Sequence, residues 1–167
     1  QQSELRELEN FQNFQEESFE LYSQKMPTEE QQQFTDFFSS LNRMPLTKKN
    51  DVEIFTDGTE KFNALMADIK KAQHSIHIEY YAFVTDHIGT KILNLLEEKA
   101  AEGVEVRLLY DAFGSKGTKV HHLNELKKNG GFVQTFITSQ KALLKFRLNY
   151  HDHRKIVVID GKVGYIG

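Results

Sequence analysis

The sequence contains no cysteine. That excludes disulfides and zinc sites of the Cys type, though it says nothing about compartment. No apolar run approaches the ~20 residues needed to span a bilayer. The opening Gln1-Gln2-Ser3-Glu4 lacks the basic start of a secretory signal peptide. The chain does not begin with Met, and Tyr165-Ile166-Gly167 at its other end reads as a strand. The expectation is a piece of a longer protein whose membrane segments lie outside these residues. At 167 residues it suits one domain plus an extension, and a domain of this size buries roughly two thirds of its unfolded surface.

Charge is unevenly spread. Residues 1–40 hold nine acids against Arg6 and Lys25, a balance of −7. With −3 overall, residues 41–167 carry +4. Within them, 139–155 has Lys141, Lys145, Arg147, Arg154 and Lys155 against Asp152 alone. Such a local field attracts anions, phosphates among them, although a solvated basic loop has the same composition.

The first 47 residues read as an acidic helical arm and linker. Phe11, Phe14, Phe19 and Tyr22, then Phe34, Phe37, Phe38 and Leu41, recur near helical spacing on either side of Pro27, which predicts two amphipathic helices. Ordinary packing explains their apolar faces. Their acidic polar faces argue against direct contact with anionic lipid.

From residue 48 to 167 the texture alternates between strand and helix. Val52–Phe55 is predicted to be a short strand. Asp57-Gly58-Thr59 caps a helix with a stripe at Phe62, Leu65, Met66 and Ile69. Strands are expected at 75–83, 104–110, 132–136, 156–160 and 163–166. Helices built on Ile88, Ile92, Leu95 and Leu96, and on Val120, Leu123 and Leu126, fall between them. The β-α-β alternation predicts an α/β fold, a mostly parallel sheet with helices on both faces. A loop of about 15 residues precedes the strand at 156, a length that is often functional.

In such sheets ligands sit beyond the strand ends, and Asn149-Tyr150-His151-Asp152-His153-Arg154-Lys155 enters a strand there. Phosphoryl chemistry needs a nucleophile, a cation on the non-bridging oxygens and a group that orients the nucleophile. A neutral imidazole can attack phosphorus and hold it covalently. An ammonium can stabilise charge on the equatorial oxygens, and a carboxylate can fix the imidazole tautomer. His153 and Lys155, two apart on a strand, share a face. Asp160 follows at the far end of the apolar mount Ile156-Val157-Val158-Ile159.

His153, Lys155 and Asp160 match H-x-K-x4-D, the signature of the phospholipase D superfamily, and Gly167 stands where the family motif continues with a small residue. Ile76-His77-Ile78-Glu79-Tyr80-Tyr81, Gly103 to Asp111, Gly114-Ser115 and His153 to Gly161 together resemble the first catalytic half of bacterial cardiolipin synthases, over roughly 50–167. That resemblance implies a phospholipase D-like α-β-α sandwich with two such motifs, whose histidines face each other across a substrate phosphate. It implies His153 as nucleophile, Lys155 as phosphate clamp and Asp160 as a support behind them. The implied reaction joins two phosphatidylglycerol molecules to give cardiolipin and glycerol, with no metal or cofactor. The second catalytic half of the same polypeptide completes the site, and the setting is the bacterial cell membrane, with no nucleic acid partner.

Other residues carry weaker expectations. His151 lines the entrance, and Glu79 supports the site, since a carboxylate inside an apolar strand is costly unless paired. Asp111 with Ser115 is either a substrate-side loop or a cap and turn. Tyr80, Tyr81 and Phe83 read as core. His151 and His153 could chelate, but a catalytic zinc needs a third ligand and an open position. The competing function is a phospholipase D-type nuclease or phospholipase working as a homodimer, for which a nuclease would carry more positive charge.

Overall fold

A computed structural model describes residues 28–42, 50–118, 120–136 and 151–167. The predicted helix over Phe11–Tyr22 and the basic stretch at 141–147 lie outside the described residues. The chain divides into two compact units, Gln1–Ile54 and Phe55–Gly167. In the first, α1 (Glu29–Asn42) forms where expected. Phe34, Phe37 and Phe38 are exposed, and the Phe34 and Phe38 rings meet at 4.6 Å. The expected strand Val52–Phe55 is absent. Val52 and Ile54 point into solvent and have no ladder partner, without which a short apolar alternation has nothing to hold it extended.

The second unit runs α2 (Gly58–Lys71), β1 (Ser75–Tyr80), α3 (His87–Ala101), β2 (Glu105–Tyr110), α4 (Val120–Lys128), β3 (Phe132–Thr135), β4 (Lys155–Ile159) and β5 (Val163–Ile166). Asp57 caps α2 by accepting the N–H groups of Thr59 and Glu60, and Asp86 caps α3 through Gly89, so each helix start satisfies donors that would otherwise be orphaned. Gly103 ends the α3 turn at φ 91, a left-handed backbone that suits glycine.

The sheet order is β3-β2-β1-β4-β5. β1, β2 and β3 pair in parallel. β4 runs antiparallel to β1, and β5 antiparallel to β4. The sheet is therefore mixed, with β4 the strand that opposes the rest. Strands β2 and β3 are added successively on one side of β1. Two right-handed crossovers in one direction place α3 and α4 on the same face. Among the described residues α2 joins them there. Leu65 and Ile69 from α2, Leu93 and Leu96 from α3 and Leu126 from α4 close over Ile76, Ile78, Val106, Leu108 and Val157.

Among the described residues of this unit, no helix packs on the opposite face. Glu79, Arg107, Leu109, Ile156 and Val158 line a hollow of about 470 Å³ there. The apolar run of β4 is thus buried only on its helix side, at Val157 and Ile159, while Val158 is 37% exposed. The strand order turns at β1, between β2 on one flank and β4 on the other, and ligand sites form at such switch points.

Candidate active site

Because β4 opposes β1, its first residues meet the C-terminal end of β1. Tyr80 pairs with Lys155, and the Tyr81 N–H donates to the Arg154 carbonyl at 2.9 Å. His153 and Lys155 therefore sit at the same sheet edge as the ends of β1 and β2. Both side chains are exposed. The Lys155 ammonium folds back along the strand and donates to the His153 carbonyl at 3.2 Å. The strand begins only at Lys155, so His153 stands just before it and not on it as the sequence suggests.

The His153 ring lies flat on Tyr81. Their centroids are 4.4 Å apart and the planes differ by 13°. His151 meets Tyr81 edge-on at 6.3 Å and leans on Phe113 at 5.0 Å. His151 thus sits beside His153, between Tyr81 and Phe113. The two imidazoles stand at 82°, 6.3 Å apart. Among the described residues no three metal-ligating side chains are arranged to hold a metal ion.

Asp111 and Ser115 face inward and close the turn after β2. Asp111 is 3% exposed. One carboxylate oxygen accepts the N–H groups of Phe113 and Gly114 at 2.8 and 3.1 Å. The other accepts the Asp152 N–H at 3.2 Å and lies 3.4 Å from His151 Nδ1. Burial pushes this carboxyl up, but the N–H donors of Gly114, Asp152 and Phe113, with His151 beside it, outweigh that and leave it below the usual aspartate value. The Ser115 hydroxyl accepts the Phe83 N–H at 2.9 Å and donates to the Tyr81 carbonyl at 3.2 Å. Thr118 donates to the Phe83 carbonyl from the same turn. These bonds bind the β2 loop to the end of β1 and to the segment that carries His153.

Glu79 projects from β1 on the open face and accepts from the Arg154 guanidinium at 3.0 Å. Burial, then a hydrogen bond with Asp152, raise its carboxyl above the usual glutamate value against the pull of Arg154. Glu79 thus touches Arg154 and Asp152, the two chain neighbours of His153. Asp152, buried at 6% exposure, is a junction that sequence reasoning missed. Nothing in the composition of His151-Asp152-His153 distinguishes an inward acid from a solvated one.

Asp160 lies at the other end of β4. At ~3.3 Å per residue it is about 16 Å from Lys155, and the structure does not bring it to His153. Its carboxylate accepts the N–H groups of Gln73, His74 and Ser75 at 2.9, 2.8 and 2.9 Å. Those three donors hold it at about 2. It ties the start of β1 to the end of β4. Gly167 lies opposite Lys155 and donates its N–H to the Lys155 carbonyl at 3.1 Å. A Cβ placed there would stand 2.6 Å from Lys61 Nζ, so α2 brings a second ammonium to this edge.

The family model described as "Cardiolipin synthase, PLD-like domain" matches residues 65–167. Cardiolipin synthase of Listeria monocytogenes serotype 4b (strain CLIP80459) is 52% identical over 122 residues, covering 73% of this chain and 25% of that protein. Cardiolipin synthase 1 of Staphylococcus aureus (strain COL) is 47% identical over 122 residues, with the same coverage of 73% and 25%. The chain spans about a quarter of the length of these curated relatives. Among solved structures, NucT from Helicobacter pylori is similar at 22% identity and TM-score 0.49, covering 65% of each chain. Nuc from Salmonella typhimurium, a phospholipase D family member, is similar at 21% identity and TM-score 0.45, covering 59% of this chain and 56% of that one. The match over residues 65–167, with His153 and Lys155 on one sheet edge, shows that this chain belongs to the cardiolipin synthase family of phospholipase D-like domains.

Proposed function

We propose that the chain carries one half of the active site of a phosphatidyltransferase that joins two phosphatidylglycerol molecules. The observation that carries this reading is His153, exposed on the edge beside Lys155 in a chain of this family. A ring nitrogen of neutral His153 attacks the phosphorus of one phosphatidylglycerol. The bond to its terminal glycerol breaks, and that glycerol departs after taking a proton. A phosphatidyl group is left on the imidazole. The hydroxyl of a second phosphatidylglycerol then attacks the same phosphorus, loses its proton and frees the imidazole. The products are cardiolipin and one glycerol. The Lys155 ammonium stabilises the non-bridging oxygens in both steps.

The proton donor and acceptor is a second imidazole, supplied by another part of the same polypeptide at the bacterial cell membrane. The 167-residue chain by itself is expected to turn over no lipid. Among the described residues no helix is long and apolar enough to cross a membrane. The test is incubation of the full-length protein with phosphatidylglycerol vesicles and, separately, with DNA. Cardiolipin and glycerol in equal amounts are expected. Nicked DNA without cardiolipin would replace this reading with the nuclease one.

A further inference from the structure

We infer that Tyr81 is a positioning residue for His153: its ring is the platform that holds the imidazole plane for attack. This rests on His153 as the nucleophile.

His153 is exposed at the sheet edge. An exposed side chain samples its rotamers freely, and freezing it at the moment of reaction costs entropy. Nucleophilic attack uses the lone pair in the plane of the imidazole, so tipping that plane turns the lone pair away from phosphorus. A ring stacked at 4.4 Å and 13° resists tipping while leaving both ring nitrogens uncovered at the rim. Backbone geometry alone sets neither angle, because β4 begins only at Lys155.

Tyr81 is itself held on three sides. Its N–H donates to Arg154, the neighbour of His153, at 2.9 Å. Its carbonyl accepts from the Ser115 hydroxyl at 3.2 Å. Gly114 packs against its ring: a Cβ there would stand 2.8 Å from Cε2 and Cζ and 2.5 Å from the Tyr81 carbonyl oxygen. The oxygen is backbone and cannot step aside, so only glycine fits without displacing Tyr81. Asp111 fixes that glycine by accepting its N–H at 3.1 Å. The buried Asp111–Ser115 turn thus acts on the chemistry through Tyr81. The stack needs the ring and not the hydroxyl.

The test uses the full-length enzyme with phosphatidylglycerol vesicles, and kcat, KM and the rate of covalent labelling of His153 are measured. Tyr81→Phe keeps the platform and is expected within about twofold of wild type. Tyr81→Leu removes it and is expected to lower kcat and the labelling rate together by roughly 10- to 100-fold, the scale of a small misplacement of a reacting group, with KM little changed. Gly114→Ala should lower them in the same direction. Wild-type kcat in Tyr81→Leu would overturn the inference, as would an equal loss in Tyr81→Phe.

A readout that needs no variant is the proton spectrum of the histidine-labelled 167-residue chain. The His153 ring protons should lie upfield of free-histidine positions, shifted by the Tyr81 ring current, and an unshifted His153 would also overturn the inference. A wild-type enzyme that makes no cardiolipin would instead remove the functional reading, and an upfield His153 would then leave the stack standing without that role.

Discussion

Asp160 stands at the end of β4 far from His153, and its carboxylate holds backbone N–H groups. It adopts φ 52, a left-handed backbone that Asp and Asn tolerate better than other side chains. From there its oxygens take three backbone N–H groups at the start of β1. Its folded value of about 2 lies below the ordinary aspartate value of 3.8. A depressed carboxyl stabilises the fold fully above its unfolded value, and that contribution fades as pH falls through the folded one. Asp160→Asn, which keeps the backbone conformation, should therefore lower the thermal midpoint at pH 7. The gap to wild type should narrow as pH falls from about 4 toward 2. A gap independent of pH, read by circular dichroism melts, would contradict this role.

The sequence pattern H-x-K-x4-D locates Asp160 but cannot show that five strand residues carry it away from His153. For Asp111 and Ser115 the cap-and-turn alternative was legible in Asp111-Ala112-Phe113-Gly114-Ser115. Which alternative holds depends on burial, which residue types alone do not encode. Tyr81 was read as core because aromatic residues in apolar runs usually are. Its stack on His153 joins residues 72 positions apart and leaves no local trace.

At the scale of elements, the apolar run from Ser75 is enough to predict a strand there, and side chains alternate along it, with Ile76, Ile78 and Tyr80 buried and His77 exposed. The stripe on α2 likewise identified Leu65 and Ile69, both buried. Val52–Phe55 failed because a strand is a property of its neighbours as much as of its own residues. The direction of β4 was also hidden: the chain between β3 and β4 is long enough to enter the sheet from either end. Two substitutions probe the packing that positions β4 and β5. Leu93→Ala removes a fully buried side chain of α3 and should cost roughly 2–5 kcal/mol in chemical denaturation. Tyr165→Phe removes the hydroxyl that donates to Asp68 at 2.6 Å and should cost about 1 kcal/mol. A Tyr165→Phe variant with unchanged stability would mean that this bond between β5 and α2 contributes nothing.

At the scale of the whole molecule, the described helices of the second unit cover one sheet face, and the other exposes a hollow with charged groups at its margins. Expecting helices on both faces follows from what parallel sheets generally do. The strand order explains why these crossovers supply only one layer. The same order brings β1, β2 and β4 to a common edge, where the loop after β2 braces the segment before β4. The imidazoles of His151 and His153 and the ammonium of Lys155 lie at that edge, with the ammonium of Lys61 beside Gly167.

The most direct measurement is covalent trapping on the full-length enzyme. Protein incubated briefly with phosphatidylglycerol carrying a radioactive phosphate is quenched in alkali, which spares phosphohistidine, and the labelled peptide is mapped. The expected result is label on His153, lost in His153→Ala together with cardiolipin formation. Undiminished label in His153→Ala would assign the attack to the other half of the site and contradict the role given to His153 here.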